Sequence, residues 1–263
     1  MESRSATLTS AQPDFGPVVH IADAPEEPSV VVVCEHASHR IPDGLGDMGL
    51  SAEALRSHIA WDPGALPVAQ ALAQQLNGVL VHGGVSRLVY DCNRPPEAPD
   101  AMPECSEDTP IPANLELSAN ARQQRIEGVY VPFCQGLEDV LIRHHRTLKL
   151  MVTVHSFTPI YRGKPRDVEL GLLHGQDARF AKAMLASAAH ELPLVTRLNE
   201  PYSAADGVAH TLDLHAAPNG LLNVMIEIRN DLIQTAEQQR VMADCLAPWI
   251  NRTIAPFCSG VGE

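Results

Sequence analysis

The run Ser29-Val30-Val31-Val32-Val33-Cys34 is continuously apolar and largely β-branched, and it breaks without transition into Glu35-His36. A strand with one wet face alternates polar and apolar residues, so a strand with no polar face is buried on both sides, as at the centre of a parallel or mixed sheet. Downstream, Ser51–Ile59, opened by a serine cap, and Pro67–Leu76 read as helices, and Gly78–His82 (GVLVH) as a second short strand. Ser118–Arg146 is largely helical with an interruption at Pro132, and Leu148–His155 is a further strand. Val168–Leu173 reads as a strand, Asp177–Glu191 as a helix carrying Phe180, Met184 and Leu185, Leu222–Ile228 as a strand, and Ala236–Ile250 as a closing helix. Strands alternating with helices of this length predict an α/β fold: a three-layer α/β/α sandwich on a central mixed sheet, with ligands gathered at strand ends.

The 263 residues, 45% of them apolar, suffice for a sizeable core. They are expected to form one domain over residues 29–263, preceded by an extended or poorly ordered segment, 1–28. The formal charge of -13 opposes binding to nucleic acid or to an anionic membrane. Six cysteines with no CxxC pair fit reduced thiols rather than a disulfide framework. The N-terminal segment lacks the basic and long apolar regions of a secretory signal, and no stretch of 18 apolar residues occurs. A cytoplasmic protein is expected, with no prediction of its oligomeric state. The Pro- and acid-rich stretch Asn93–Pro112 has no period and is a candidate active-site loop.

Three strands run out into chemically capable residues: Glu35-His36 after the first, His155-Ser156 after a middle one, and Glu227 within Met225-Ile226-Glu227-Ile228-Arg229. A catalytic zinc takes three protein ligands from His, Asp or Glu and leaves a position for water, a number these strand ends can supply. His36 and His155 are the candidate histidines. The acid or third ligand is open among Asp62, in Trp61-Asp62-Pro63-Gly64, Glu35, and His39 of the short His36-x-x-His39 pattern. In Arg87-Leu88-Val89-Tyr90-Asp91-Cys92-Asn93-Arg94 two arginines and an asparagine offer multidentate donors for a carboxylate, with an Arg–Asp ion pair as the structural reading of Asp91. Arg229 shares a strand face with Glu227 and is a further candidate cation.

These motifs, in this order from about Val30 to Ile233, resemble the N-formylglutamate amidohydrolase family. The resemblance rests on Glu227-Ile228-Arg229-x-Asp231-Leu232-Ile233, His36-Ala37-Ser38 with Ile41-Pro42, Trp61-Asp62-x-Gly64-Ala65, Ser86–Arg94, and Tyr202-Ser203 through Thr211-Leu212 and His215. It implies a phosphorylase/hydrolase-like fold related to zinc carboxypeptidases and aspartoacylases, with one Zn²⁺ per chain. It implies His36 and His155 as ligands, Glu227 as general base and Asn93-Arg94 as a carboxylate-binding pair. The relatives' Glu three residues after the first His is His39 here. Related zinc amidases of similar topology take an acid well downstream of the first His, so the resemblance implies Asp62 as the second ligand, with Glu35 as the alternative. Arg87 or His215 would hold the oxyanion, and Arg94 and Arg229 the substrate carboxylates. The expected reaction is deformylation of a small anionic N-acyl amino acid, N-formylglutamate first, as in amino-acid catabolism. The competing expectations are a hydrolase of a larger N-acyl amino acid and a non-catalytic binding protein on the same fold.

Overall fold

The computed structural model describes residues 13–202 and 206–258. Residues 1–12, the start of the segment expected to be extended, and Ser203 of the Tyr202-Ser203 motif lie outside the described residues. One mixed sheet contains β1 (Val19–Ile21), β2 (Val30–Cys34), β3 (Val79–Gly83), β6 (Leu150–Phe157), β9 (Leu170–Leu173), β10 (Thr196–Leu198) and β11 (Leu222–Arg229). Two small ribbons stand outside it: β4 (Cys105–Ser106) with β5 (Thr109–Pro110), and β7 (Ile160–Tyr161) with β8 (Lys164–Pro165). The main sheet runs in the order β1-β3-β2-β6-β11-β9-β10. Its centre, β3-β2-β6-β11, is parallel, while β1 and β9 run antiparallel to their inner neighbours.

The valine run behaves as its composition demands. All five residues of β2 are at most 2% exposed. Val30, Val32 and Cys34 enter one apolar cluster, with residues of α1 (Ala65–Gln75), α4 (Arg179–Glu191) and α5 (Ala236–Cys258). Val31 and Val33 enter another, with Phe133, Leu137 and Val140 of α3 (Val131–Arg143). Period-two alternation thus feeds two cores from one strand, and each buried valine contributes about 1.5–3 kcal/mol. This is the three-layer α/β/α arrangement on a mixed sheet.

Several expected elements differ in detail. Ser51–Ile59 forms only a 3₁₀ turn at Ala54–Arg56, although Ser51 Oγ does accept from the Ala54 N–H. The reason is tertiary: the backbone of Ala60 accepts from Arg87 N and Ser86 Oγ, and Asp62 N donates to His36 O, which draws residues 60–62 out of any helical path. The helix expected across Pro132 becomes α2 (Ala119–Arg125), a wide π-turn over Ile126–Tyr130, and α3, because proline cannot donate to the turn before it. The described residues before 29 are integrated: Phe15 and Val18 are buried, and β1 pairs with β3. The closing helix opens with a capping box, Gln238 N donating to Thr235 Oγ1 and Thr235 N to Gln238 Oε1, and runs on through Pro248 to Cys258. Among the described residues no helix is long and apolar enough to cross a membrane.

Candidate metal centre

Parallel register sets the site. Glu227 of β11 lies directly beside His155 of β6, and β2, on the other side of β6, delivers His36 two residues past its end. Asp62 arrives from the turn before α1, fixed by its N–H to His36 O (2.9 Å) and by Ser156 Oγ bonding to Pro63 O (2.8 Å). That turn requires Gly64. Its φ is +81°, and a Cβ there would collide with the Ile233 carbonyl oxygen just beyond β11.

Nδ1 of His36 and Nδ1 of His155 lie 3.2 Å apart, and Asp62 Oδ2 lies 3.3 Å from the first and 2.9 Å from the second. Two imidazole lone pairs facing each other at this distance repel, so a proton or a cation has to lie among the three atoms. A tetrahedral shell with bonds of ~2.0–2.1 Å places neighbouring ligand atoms roughly 3.3 Å apart, close to this spacing. These three residues form the one cluster of at least three His, Cys, Asp or Glu with converging donor atoms among the described residues. All three are at most 3% exposed.

The far nitrogen of each ring meets a carboxylate. His36 Nε2 is hydrogen-bonded to Asp91 Oδ1 (2.7 Å), and His155 Nε2 lies 3.1 Å from Glu35 Oε2, an ion-pair contact without hydrogen-bond alignment. Such partners fix ring orientation and raise the basicity of the nitrogen that faces a metal. Four buried carboxylates (Glu35, Asp62, Asp91, Glu227) thus surround two imidazoles and the guanidinium of Arg87, which touches two of them. Burial disfavours the charged form of His155, but Glu35 and Asp62 outweigh it and raise its pKa well above the ordinary value. For Asp62 burial acts upward, and the two histidines overcome it and hold the carboxyl well below its usual range. Both shifts say that the pocket calls for positive charge, which a divalent cation meets without protonating its ligands.

Glu227 is 5% exposed and its Oε2 has no hydrogen-bond partner among the described residues. Burial, opposed by His155 and assisted by Asp62, pushes its carboxyl up to about 7. It lines a cavity of about 520 Å³ together with His36, Asp62, His155 and Arg87. Arg87 donates to Asp91 Oδ2 (2.6 Å), and its Nη1 lies 3.5 Å from Asp62 Oδ1.

Other expected residues fall elsewhere. Glu35 sits behind His155, and His39 packs its ring against Trp61 (5.0 Å between centroids), so neither joins the three converging atoms. Arg229 is held by Asp231 (2.8 Å), Glu169 (3.2 Å) and the Arg166 carbonyl (3.3 Å), away from the residues lining the cavity. His215 is buried in the π-turn Leu212–Ala216, outside the cavity wall. Asn93 lines the cavity, but its amide is spent on backbone, donating to Val208 O (2.6 Å) and accepting from Thr211 N (3.0 Å). Arg94 also lines it, with Nε on Asp100 (2.7 Å) and Nη1 on the Asn93 and Gly207 carbonyls. The expected pair thus lines the cavity with its amide and guanidinium also bonded to the surrounding loops.

Sequence reading missed the holding role of Asp91 beside its ion pair with Arg87, and missed Tyr202, His58 and Arg162 as cavity residues. A carboxylate partner for each candidate ligand could have been sought. The cavity residues carry no local pattern.

Residues 28–234 match the family model described as N-formylglutamate amidohydrolase. Among solved structures, gene product Atu2144 from Agrobacterium tumefaciens is 48% identical, with a TM-score of 0.89 over 92% of this chain and 97% of that one. N-formylglutamate amidohydrolase from Ralstonia eutropha JMP134 is 17% identical with a TM-score of 0.63, over 93% of this chain and 99% of that one, a likeness of fold. None of the curated proteins matches the chain.

Proposed function

The chain belongs to the N-formylglutamate amidohydrolase family, and from that membership we propose that it is a zinc-dependent hydrolase of a small N-acyl amino acid, N-formylglutamate foremost. The observation that carries this reading is the convergence of His36 Nδ1, Asp62 Oδ2 and His155 Nδ1 in one cavity with a buried carboxyl, Glu227. Two nitrogens and one carboxylate oxygen suit Zn²⁺, and three protein ligands leave room for the reaction. A bound zinc ion supplies Lewis acidity and an activated water as nucleophile.

The chain's own groups do the rest. Glu227 takes a proton from the attacking water and returns it to the amide nitrogen as the C–N bond breaks, releasing a carboxylic acid and a free amine. A buried carboxyl with a raised pKa suits both halves of that transfer. Arg87, held against Asp62 and Asp91, presents its guanidinium to the oxyanion that forms on the acyl carbon. Glu35 and Asp91 keep both rings turned for ligation.

The test is elemental analysis of the purified chain together with a hydrolysis screen of N-formyl and N-acetyl amino acids. About one zinc per chain, and formate release depending on it, is the expected outcome. Release of acetate but not of formate would move the reading to a larger acyl group, and a metal-free chain with no hydrolysis would end it. A paired substitution distinguishes ligand from support. Asp62→Ala is expected to abolish zinc retention, and Glu35→Ala to weaken it by ~10–100-fold. Equal retention in both variants would remove Asp62 from the ligand set.

A further inference from the structure

The cavity is lined by Asp62, Asp91, Asp100, Glu107, Asp206 and Glu227, a wall that repels an anion unless a cation is available. Its arginines are Arg87, Arg94 and Arg162. Arg87 is engaged by Asp62 and Asp91, and Arg94 by Asp100 and two backbone carbonyls. Arg162 differs. It is exposed, and among the described residues its side chain makes a single 3.4 Å bond, from Nη2 to the Glu107 carbonyl, and lies 5.6 Å from the centroid of the Tyr161 ring.

Its backbone is left-handed, as it also is at Met48, Glu107 and Glu116. β7 and β8 are joined by two residues, Arg162 and Gly163, with Tyr161 paired to Lys164. Both have positive φ, +48° and +73°, as a type I′ turn demands. Asparagine or glycine fills the first such position at least cost, and a long β-substituted side chain there is strained. What sets Arg162 apart is its position, at a ribbon tip on the cavity wall with its guanidinium lightly held. The opposite wall is the β4–β5 ribbon, whose Glu107 is tied to His58 (2.9 Å), so the Glu107 carbonyl is a fixed perch for a guanidinium awaiting a better acceptor.

We propose that Arg162 is the specificity-determining residue that binds the distal carboxylate of the substrate, exchanging its long bond to the Glu107 carbonyl for a charge-assisted one. The inference rests on the N-acyl amino acid reading above. With the amide directed at the buried His36-Asp62-His155 end, the side-chain carboxylate of a glutamyl substrate faces the mouth, where this guanidinium stands.

The test compares the full chain, loaded with zinc, with its Arg162→Asn and Arg162→Lys variants. Asparagine suits the turn better than arginine, so a change in binding is not a consequence of a broken ribbon. With N-formylglutamate as substrate, Arg162→Asn is expected to raise KM roughly 10-fold with kcat little changed, as loss of one partly exposed charge-assisted bond predicts. N-formylglutamine, lacking the distal charge, should be unaffected, and Arg162→Lys should recover part of the loss. Calorimetric binding of L-glutamate against L-glutamine is measured in parallel. The parent should prefer glutamate and the asparagine variant should not. If the parent hydrolyses neither formyl compound yet the glutamate preference disappears in Arg162→Asn, the reaction assigned above is wrong and the Arg162 assignment stands. An unchanged preference, or equal effects on the acid and the amide, would overturn it.

Discussion

Replacing His36 or His155 by alanine is expected to strip the protein of zinc and, with it, of all hydrolysis. Each ring gives one of three converging donors, so its loss leaves a two-ligand site. The damage extends behind the ring as well. Asp91 loses the partner 2.7 Å from it in the first variant, and Glu35 the partner 3.1 Å from it in the second. Asp91 keeps Arg87 (2.6 Å), but removing a partner from a buried carboxylate is destabilising, so circular dichroism should accompany the metal assay. Elemental analysis after gel filtration decides the matter: a folded His36→Ala/His155→Ala double variant that still carries one zinc would exclude these residues as ligands.

Glu227→Gln is expected to keep both fold and zinc while lowering kcat by ~10²–10⁴, the range for loss of a general acid–base group. Glutamine fills the same volume next to His155 in the register of β11 and β6 but has no basic oxygen. The pH profile gives a second signature. The base works only when ionised, so kcat/KM of the parent should fall as pH drops through the Glu227 pKa. Burial sets that value at about 7, and the positive charge of bound zinc draws it lower. The acid limb should therefore lie below neutrality and be absent from the residual activity of the Gln variant. Turnover within a few-fold of the parent would make Glu227 structural.

How far sequence leads here depends on whether the information is local. The valine run, the GVLVH strand and the strand carrying Glu227 are legible because burial on both faces writes itself into consecutive residues. Ser51 is legible as a cap for the same reason, its partner, the Ala54 N–H, being three residues away. The fate of Ser51–Ile59 is not local, because hydrogen bonds from Ser86 and Arg87 decide it. Arg229 shows the limit most clearly. Period-two alternation sets it on the strand face of Glu227, but Glu169, 60 residues away in sequence, claims its guanidinium. Asn93 is similar: its amide looks free beside Arg94 until Val208 and Thr211, more than a hundred residues on, take both ends.

The strand order has a consequence for how the chain comes to exist. β11 is the strand latest in sequence among those described, yet it occupies the middle of the sheet between β6 and β9. A growing polypeptide that has not passed residue 222 leaves the facing edges of β6 and β9, every residue of them buried in the finished protein, open to any other strand. Such an edge favours association with neighbouring nascent chains, the hazard that chaperones suppress during synthesis. The same insertion that closes this gap also delivers Glu227 to the side of His155. One strand thus both seals the open edges of β6 and β9 and completes the buried carboxylate cluster.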